Sequence, residues 1–443
     1  MFAAGFSMPL ARVCVVISFA LLVLRRRGKT TEAGGRFMSA PFVGFLVYFA
    51  VALVVSAIAV ATNTDELLDP RRGFGKLYKL LWYAFIPLGT LQINSPERAK
   101  TALKTFVYGC LVTALTVVFY NPLAAWFQVT VPHPKLPEWA LTPTQIALRR
   151  IVDFFGSSAI VHVFDWIRHN YQARTFGAAL AKLGTMSDSQ RLMVALPAAL
   201  GLAFFCDVSC EKKRRKIVRF ALPAVIFMAL ALTLKRGPLM FGVAASAALF
   251  VRRLGWKSFL IPLAAVSVVA LIPAARERFS RLPNEFAVAE GGRAAMWMKI
   301  APELRREHPF GIGFRALTNE KMRAIAPQAE ARQTHLHSSP LQSTVDFGWL
   351  GFVAWALWMT LALLAAWRCP HPAPFCMLAA IIGYGFMEYN IADAEVILLY
   401  SFSMALAATG FGTFSLPRSR AEDIRGRCGF RGNRFRRGGG SRG

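Results

Sequence analysis

Four side chains stand where they could do chemistry: Arg236, Arg293, His335 and His337. Arg236 ends an apolar run that begins after Lys216, and a helix rising about 1.5 Å per residue covers ~30 Å between them. Its guanidinium therefore falls at a membrane–water boundary. There it either snorkels as an interfacial anchor or grips an anion such as a phosphate. Arg293 shares one helical face with Trp297, Ile300 and Leu304. An arginine on an apolar stripe needs an anionic partner. Glu290, as a structural salt bridge, and a substrate phosphate both qualify.

His335-Leu336-His337 has the form of a zinc-ligand pair, but no third ligand stands near it at a telling spacing. The residues that follow are more informative. Ser338-Ser339-Pro340 reads as a helix start, a hydroxyl cap with proline in the first turn. His337 then precedes the N-terminus of a long helix, where backbone amides and the dipole attract anions. A histidine there could take a proton from a substrate hydroxyl; an ordinary surface histidine is the plainer alternative. His308-Pro309-Phe310-Gly311-Ile312-Gly313 reads as a structural turn, because no strand precedes its glycines and no Lys-Ser/Thr follows them.

These residues, Arg236 excepted, belong to or border one polar insert, Gly291–Gly348, in an otherwise apolar chain. Of 443 residues, 55% are hydrophobic and only 17% charged. Runs such as Pro41–Ala61, Thr105–Phe119, Ile217–Leu234, Phe259–Pro273, Gly348–Trp367 and Val396–Phe414 have the length a bilayer core demands of a helix. They are continuously apolar, which excludes the alternation of a membrane β-barrel. The expected fold class is all-α, a polytopic membrane protein with about 11–12 spans and one large, partly helical external loop. The seven cysteines are scattered and imply neither a disulfide framework nor a metal site.

The net charge of +28 would suggest nucleic acid in a soluble protein. Here the cations cluster between apolar runs and report topology. Arg25–Arg27 and Lys29 follow the first run, Pro9–Leu24, which is therefore a span and no signal peptide. Lys212–Lys216 is the strongest cytoplasmic marker, and it places Arg236 and the polar insert on the opposite side. Arg71, Arg72 and Lys76 conflict with the scheme, since it puts their loop outside. The expected divisions are N-terminal spans over 1–120, an interfacial region over 121–190, central spans over 191–273, the external loop over 274–342, C-terminal spans over 343–416 and a basic tail over 417–443. Within 121–190, His162, Arg168 and His169 read as a wet interfacial surface. The Arg/Gly-rich tail reads as a basic end that touches anionic lipid, and no nucleic-acid partner is expected.

Taken in order, Lys235-Arg236-Gly237, Gly292-Arg293 with Trp297, His308–Gly313, His335-x-His337-Ser338-x-x-Leu341-Gln342 and Gly348-x-x-Gly351 resemble the O-antigen ligase/polymerase superfamily. The resemblance covers roughly Ile217–Trp367. Ser338 stands where many members have asparagine, and Lys235 where serine commonly precedes the arginine. The resemblance implies a glycosyltransferase of the bacterial inner membrane with its site facing the periplasm, using neither metal nor other cofactor. Its donor would be a glycan on undecaprenyl diphosphate. Its acceptor would be a lipid A-core hydroxyl in a ligase, another lipid-linked glycan in a polymerase, or a hydroxyl side chain in a protein-directed branch. By matched position, Arg236 and Arg293 would hold the diphosphate and His337 would deprotonate the acceptor for inverting attack. His335, Glu290 and Gln342 would be supporting residues.

A transporter is the competing class. It calls for charges at mid-membrane and an internal repeat. Glu388, Asp393 and Glu395 near the last pair of spans fit the first requirement, but no repeat accompanies them.

Overall fold

A computed structural model describes residues 39–120, 186–205, 213–260, 292–327 and 334–409, together with 263, 264, 267 and 280. The Pro9–Leu24 span, most of Phe259–Pro273, the 121–182 region, Cys206 and Cys210, Glu290 and the basic tail lie outside the described residues. In chain order the helices are α1 (Ala40–Thr62), α2 (Pro70–Phe74), α3 (Phe85–Gln92), α4 (Pro96–Leu115), α5 (Met186–Phe205), α6 (Lys213–Leu232), α7 (Arg236–Ala248), α8 (Val251–Leu254), α9 (293–307), α10 (Asn319–Ile325), α11 (Ser339–Trp367), α12 (Ala373–Gly385) and α13 (Ala394–Ala408). No strand occurs among the described residues. Helices suit a membrane, because each apolar segment then satisfies its backbone groups internally. The chain is an all-α polytopic membrane protein.

Three described helices are long and apolar enough to cross a membrane: Ala40–Thr62, Pro96–Phe119 and Ser339–Trp367. The second starts nine residues before the apolar run Thr105–Phe119, because Ser95 caps it by accepting from the Arg98 amide at 3.3 Å. Arg98, Lys100 and Lys104 are thus helical. The apolar stretch Tyr78–Ile93 is a 3₁₀ segment, Leu77–Ala84, running into α3. At about 2 Å per residue in the first half and 1.5 Å in the second, it still reaches ~28 Å.

Trp349 and Trp367 are among the more exposed large side chains, at 63% and 59%. They lie about 27 Å apart along α11, a spacing that suits aromatic girdles at the two faces of a bilayer. Between them α11 packs on α1. Their shared core is aromatic: Trp358 is fully buried and meets Tyr83 edge-on at 4.7 Å, with Phe45 and Tyr48 at 5.4 Å each. On the other side of the bundle α5 is buried nearly all round, against α4, α6, α7 and α12.

The polar insert folds onto one end of this bundle. The Phe314 amide donates to Ser56 Oγ of α1 at 3.0 Å, and the Asp69 amide to the Ala316 carbonyl at 2.9 Å. Lys321 binds Asp65 at 2.7 Å and Glu307 at 2.6 Å, with His308 beside both carboxylates. A second small core lies under the insert, built from Met296, Ile300, Leu304, Ile312, Leu317, Met322 and Leu336. The loop of Arg71, Arg72 and Lys76 therefore shares an end with the insert.

Candidate functional site

Three chain segments meet at the carboxylate of Glu388. His337 Nδ1 lies 2.8 Å from Oε1, and Arg293 Nη2 donates to Oε2 at 3.4 Å. Glu388 is buried in the loop between α12 and α13, while the histidine and the arginine are half-buried. Ser339 Oγ ties the first turn of α11 to the same loop, 3.1 Å from the Glu388 carbonyl and 3.0 Å from Asn390 Oδ1. Burial opposes ionisation of Glu388, yet the His337 hydrogen bond and the charges of His337 and Arg293 hold its carboxyl below the ordinary value. An ionised carboxylate there makes Nδ1 the protonated nitrogen of His337 and leaves Nε2 with a lone pair.

His337 is held in a left-handed backbone conformation, φ 49°. Such a conformation costs about 1–2 kcal/mol and persists only where neighbours impose it. Leu336 supplies the restraint. Its side chain is buried, its amide donates to Gln342 Oε1 at 2.8 Å, and its carbonyl accepts from Trp297 Nε1 at 2.8 Å. Gln342 in turn donates to Asp346 at 2.7 Å. His335 stands edge-on to His337, ring centroids 4.5 Å apart, with Tyr389 at 5.7 Å on its other side. Burial, and then the adjacent His337, push the His335 imidazole down to about 4, so it is neutral near pH 7.

The turn His308–Gly313 fastens this assembly to the membrane part. Helix α11 breaks at Gly348, φ 66° and ψ −163°, a region open essentially to glycine alone. The break frees carbonyls that α11 would otherwise bond internally. Val345 O and Asp346 O accept instead from the amides of Ile312 and Gly313, at 3.1 and 2.8 Å. A Cβ on Gly348 would stand 2.7 Å from the Pro309 carbonyl oxygen.

Arg236 and Arg293 are each the first residue of a helix, α7 and α9. Neither preceding N-cap, Lys235 or Gly292, makes a side-chain cap, and neither does Ser338 before α11. Cations at helix N-termini oppose the dipole, whereas an anion placed there would meet both the arginine and first-turn amides. Gly237 beside Arg236 lies against Tyr384, a Cβ there falling 2.5 Å from the ring. Tyr384 stands near the end of α12, four residues before Glu388 in the chain. The Arg236 turn thus packs on the helix that leads to Glu388. That turn is formed by Thr233–Lys235, with Leu234 at φ 53°, while Gly237 and Pro238 are already helical.

Of the residues singled out by type and spacing, His337, His335, Arg293 and Gln342 come together, while Arg236 is connected to them through the packing of its neighbour Gly237 on Tyr384. Trp297, Ile300 and Leu304 share the protein-facing side of α9 as their phase requires. Arg293 has Glu388 as its ionic partner among the described residues, and Ser339, not Ser338, makes the hydroxyl bonds at the start of α11. Glu388 read as a transporter's mid-membrane charge, but it belongs to the loop facing the polar insert. The available signal was an acid flanked by apolar runs with no local cation. His335, His337 and Glu388 also offer three ligand-type atoms within 4.8 Å of one another, the third member absent from local spacing.

A helical membrane bundle carrying one polar insert, with arginines and a histidine gathered at that end, is the class of protein these features define. Residues 220–356 match the family model described as O-Antigen ligase. Over that stretch, about a third of the chain, the protein is similar to O-antigen ligases, a family of membrane glycosyltransferase-like enzymes. Comparison with curated proteins gives no match. The matched span contains Arg236, Arg293 and His337 and stops short of Glu388.

Proposed function

We propose that the protein is a lipid-linked glycan ligase of the bacterial inner membrane. It transfers a glycan from undecaprenyl diphosphate to a lipid A-core hydroxyl on the periplasmic face. The observation that carries this reading is the His337–Glu388–Arg293 array, one carboxylate engaging a base-type and a phosphate-binding side chain. In the reaction the acceptor hydroxyl gives its proton to Nε2 of His337 as its oxygen attacks the anomeric carbon. The bond from that carbon to the diphosphate oxygen breaks, configuration inverts, and undecaprenyl diphosphate leaves with the electron pair. Glu388 orients the imidazole and stabilises the imidazolium that forms. Arg236 and Arg293, with the amides at their helix N-termini, take the charge developing on the diphosphate. No step calls for a metal. Polymerisation or transfer to a protein hydroxyl would use the same groups and differ in the acceptor alone.

Glycolipid profiling of a deletion strain tests the assignment. Accumulated full-length lipid-linked polymer with bare core is the expected result. Core carrying a single repeat unit would assign a polymerase instead, and an unchanged profile would sink the proposal.

A further inference from the structure

We propose that Arg72, Lys76, Lys79 and Arg315 form a second anion subsite, linked to His337 through Tyr389 and His335, that takes phosphate groups of the acceptor glycolipid; this rests on the transferase reading above. The subsite is built by α2, the 3₁₀ segment and the 314–316 loop, whereas the donor's arginines belong to α7 and α9. Its parts are clamped together. The Asp69 amide bonds the Ala316 carbonyl at 2.9 Å, and Gly73 lies so tightly on the Phe314 carbonyl that no Cβ would fit. Arg315, at φ 49°, extends over the Tyr389 ring at 5.4 Å. Tyr389 leads directly to the base: its ring is 5.7 Å from His335, which is 4.5 Å from His337.

The patch gathers like charges at the end of the bundle where cations between spans are disfavoured. Burial, and then Arg72, Arg315 and Lys79, hold the Lys76 ammonium below its ordinary value. Two acids offset part of this charge: Asp69, whose carboxylate acts on Lys76, and Asp393, 3.5 Å from Arg315. Asp65 is bound to Lys321 at 2.7 Å. Four cations against two acids leave the patch positive. A cationic surface linked to the base through two rings, and built on other elements than the diphosphate arginines, suits a polyanionic second substrate. Arginine and lysine together recognise phosphate through bidentate and point-charge contacts.

The test uses the full chain in nanodiscs of zwitterionic lipid, with diphosphoryl lipid A and its enzymatically dephosphorylated form as probes. The wild type should bind the phosphorylated probe about tenfold tighter or more, roughly 1.4 kcal/mol. Arg72→Gln with Lys76→Gln should abolish that preference, and Arg72→Lys with Lys76→Arg should keep it. Both positions are at least partly exposed, so the fold tolerates the changes. Equal affinity for the two probes, or an unaffected Gln variant, overturns the subsite. Equally strong competition by phosphatidylglycerol would make it a bulk headgroup site, which also overturns it. Undecaprenyl diphosphate binding, unchanged in the Gln variant, is read in parallel. Its absence in the wild type would instead defeat the transferase reading.

Discussion

His337 and Glu388 are 51 residues apart in the chain, and their side chains lie 2.8 Å apart. In the proposed mechanism that carboxylate orients the imidazole and leaves Nε2 for the acceptor. Glu388→Gln keeps the shape and removes the charge, so transfer should fall roughly 10²-fold or more, chiefly in kcat. Because Arg293 loses its partner too, the donor's KM should rise. A transfer assay with purified protein reads both quantities. Retention of wild-type kcat would show that His337 needs no orienting carboxylate.

For the two arginines the informative change is to lysine. A guanidinium at a helix N-terminus offers planar, bidentate contacts to a diphosphate, and an ammonium offers a point charge. Arg236→Lys and Arg293→Lys should each lower transfer by about tenfold or more while membrane insertion stays normal. If both variants match the wild type, the arginines are topological anchors and the diphosphate lies elsewhere.

Much of this geometry was readable in the sequence, and the remainder has a physical reason for being hidden. Apolar run length gave α1 and α11, and the phase of Arg293, Trp297, Ile300 and Leu304 gave the buried face of α9. Ser338-Ser339-Pro340 marked the start of α11. Spacing is local, however, and Glu388 reaches the site from a different loop, so no motif around His337 could name it. The 3₁₀ form of Leu77–Ala84 was equally invisible, because apolar content there suits either helix type and packing decided between them. Gly348 was visible as part of a pattern, but its break in the helix needed the backbone angles.

That break carries a stability prediction. Alanine at Gly348 would need φ 66°, ψ −163° and would press a methyl group on the Pro309 carbonyl, 2.7 Å away. Gly348→Ala should therefore cost about 2 kcal/mol or more and lower the thermal midpoint in detergent. Gly351, three residues on, is helical but also crowded, a Cβ there clashing with the Ser343 carbonyl oxygen, so its substitution would test packing and not the backbone angle. A Gly348→Ala protein with the wild-type midpoint would mean that α11 runs straight and that His308–Gly313 does not clamp it.

The three ligand-type atoms of His335, His337 and Glu388 make a metal assay worthwhile. The carboxylate already engages Arg293 at 3.4 Å and His337 at 2.8 Å, and a neighbouring guanidinium opposes a divalent ion electrostatically. Dialysis against EDTA should leave transfer within about twofold of the untreated protein, on the ordinary scatter of such assays. Loss of activity with recovery on zinc addition would reassign the cluster as a metal centre.

Acid should weaken the site in two stages. His335 is held down to about 4 by burial and by His337, against about 6.5 in an unfolded chain. Between those values the unfolded chain binds a proton that the folded one refuses, so stability declines as pH falls from about 6.5 toward 4. Glu388 is held below its ordinary value, near 4.3 for a free side chain. Its ion pairs contribute fully above that pH and are lost as pH falls through the lower folded value. The thermal midpoint followed by tryptophan fluorescence should thus slope gently from pH 6.5 and steeply below about 4. His335→Asn should flatten the first stage and spare the second. If the gentle slope survives in that variant, its source is a group other than His335. The lower limb should flatten in Glu388→Gln, with a lower midpoint above it, because the ion pairs are then missing at every pH.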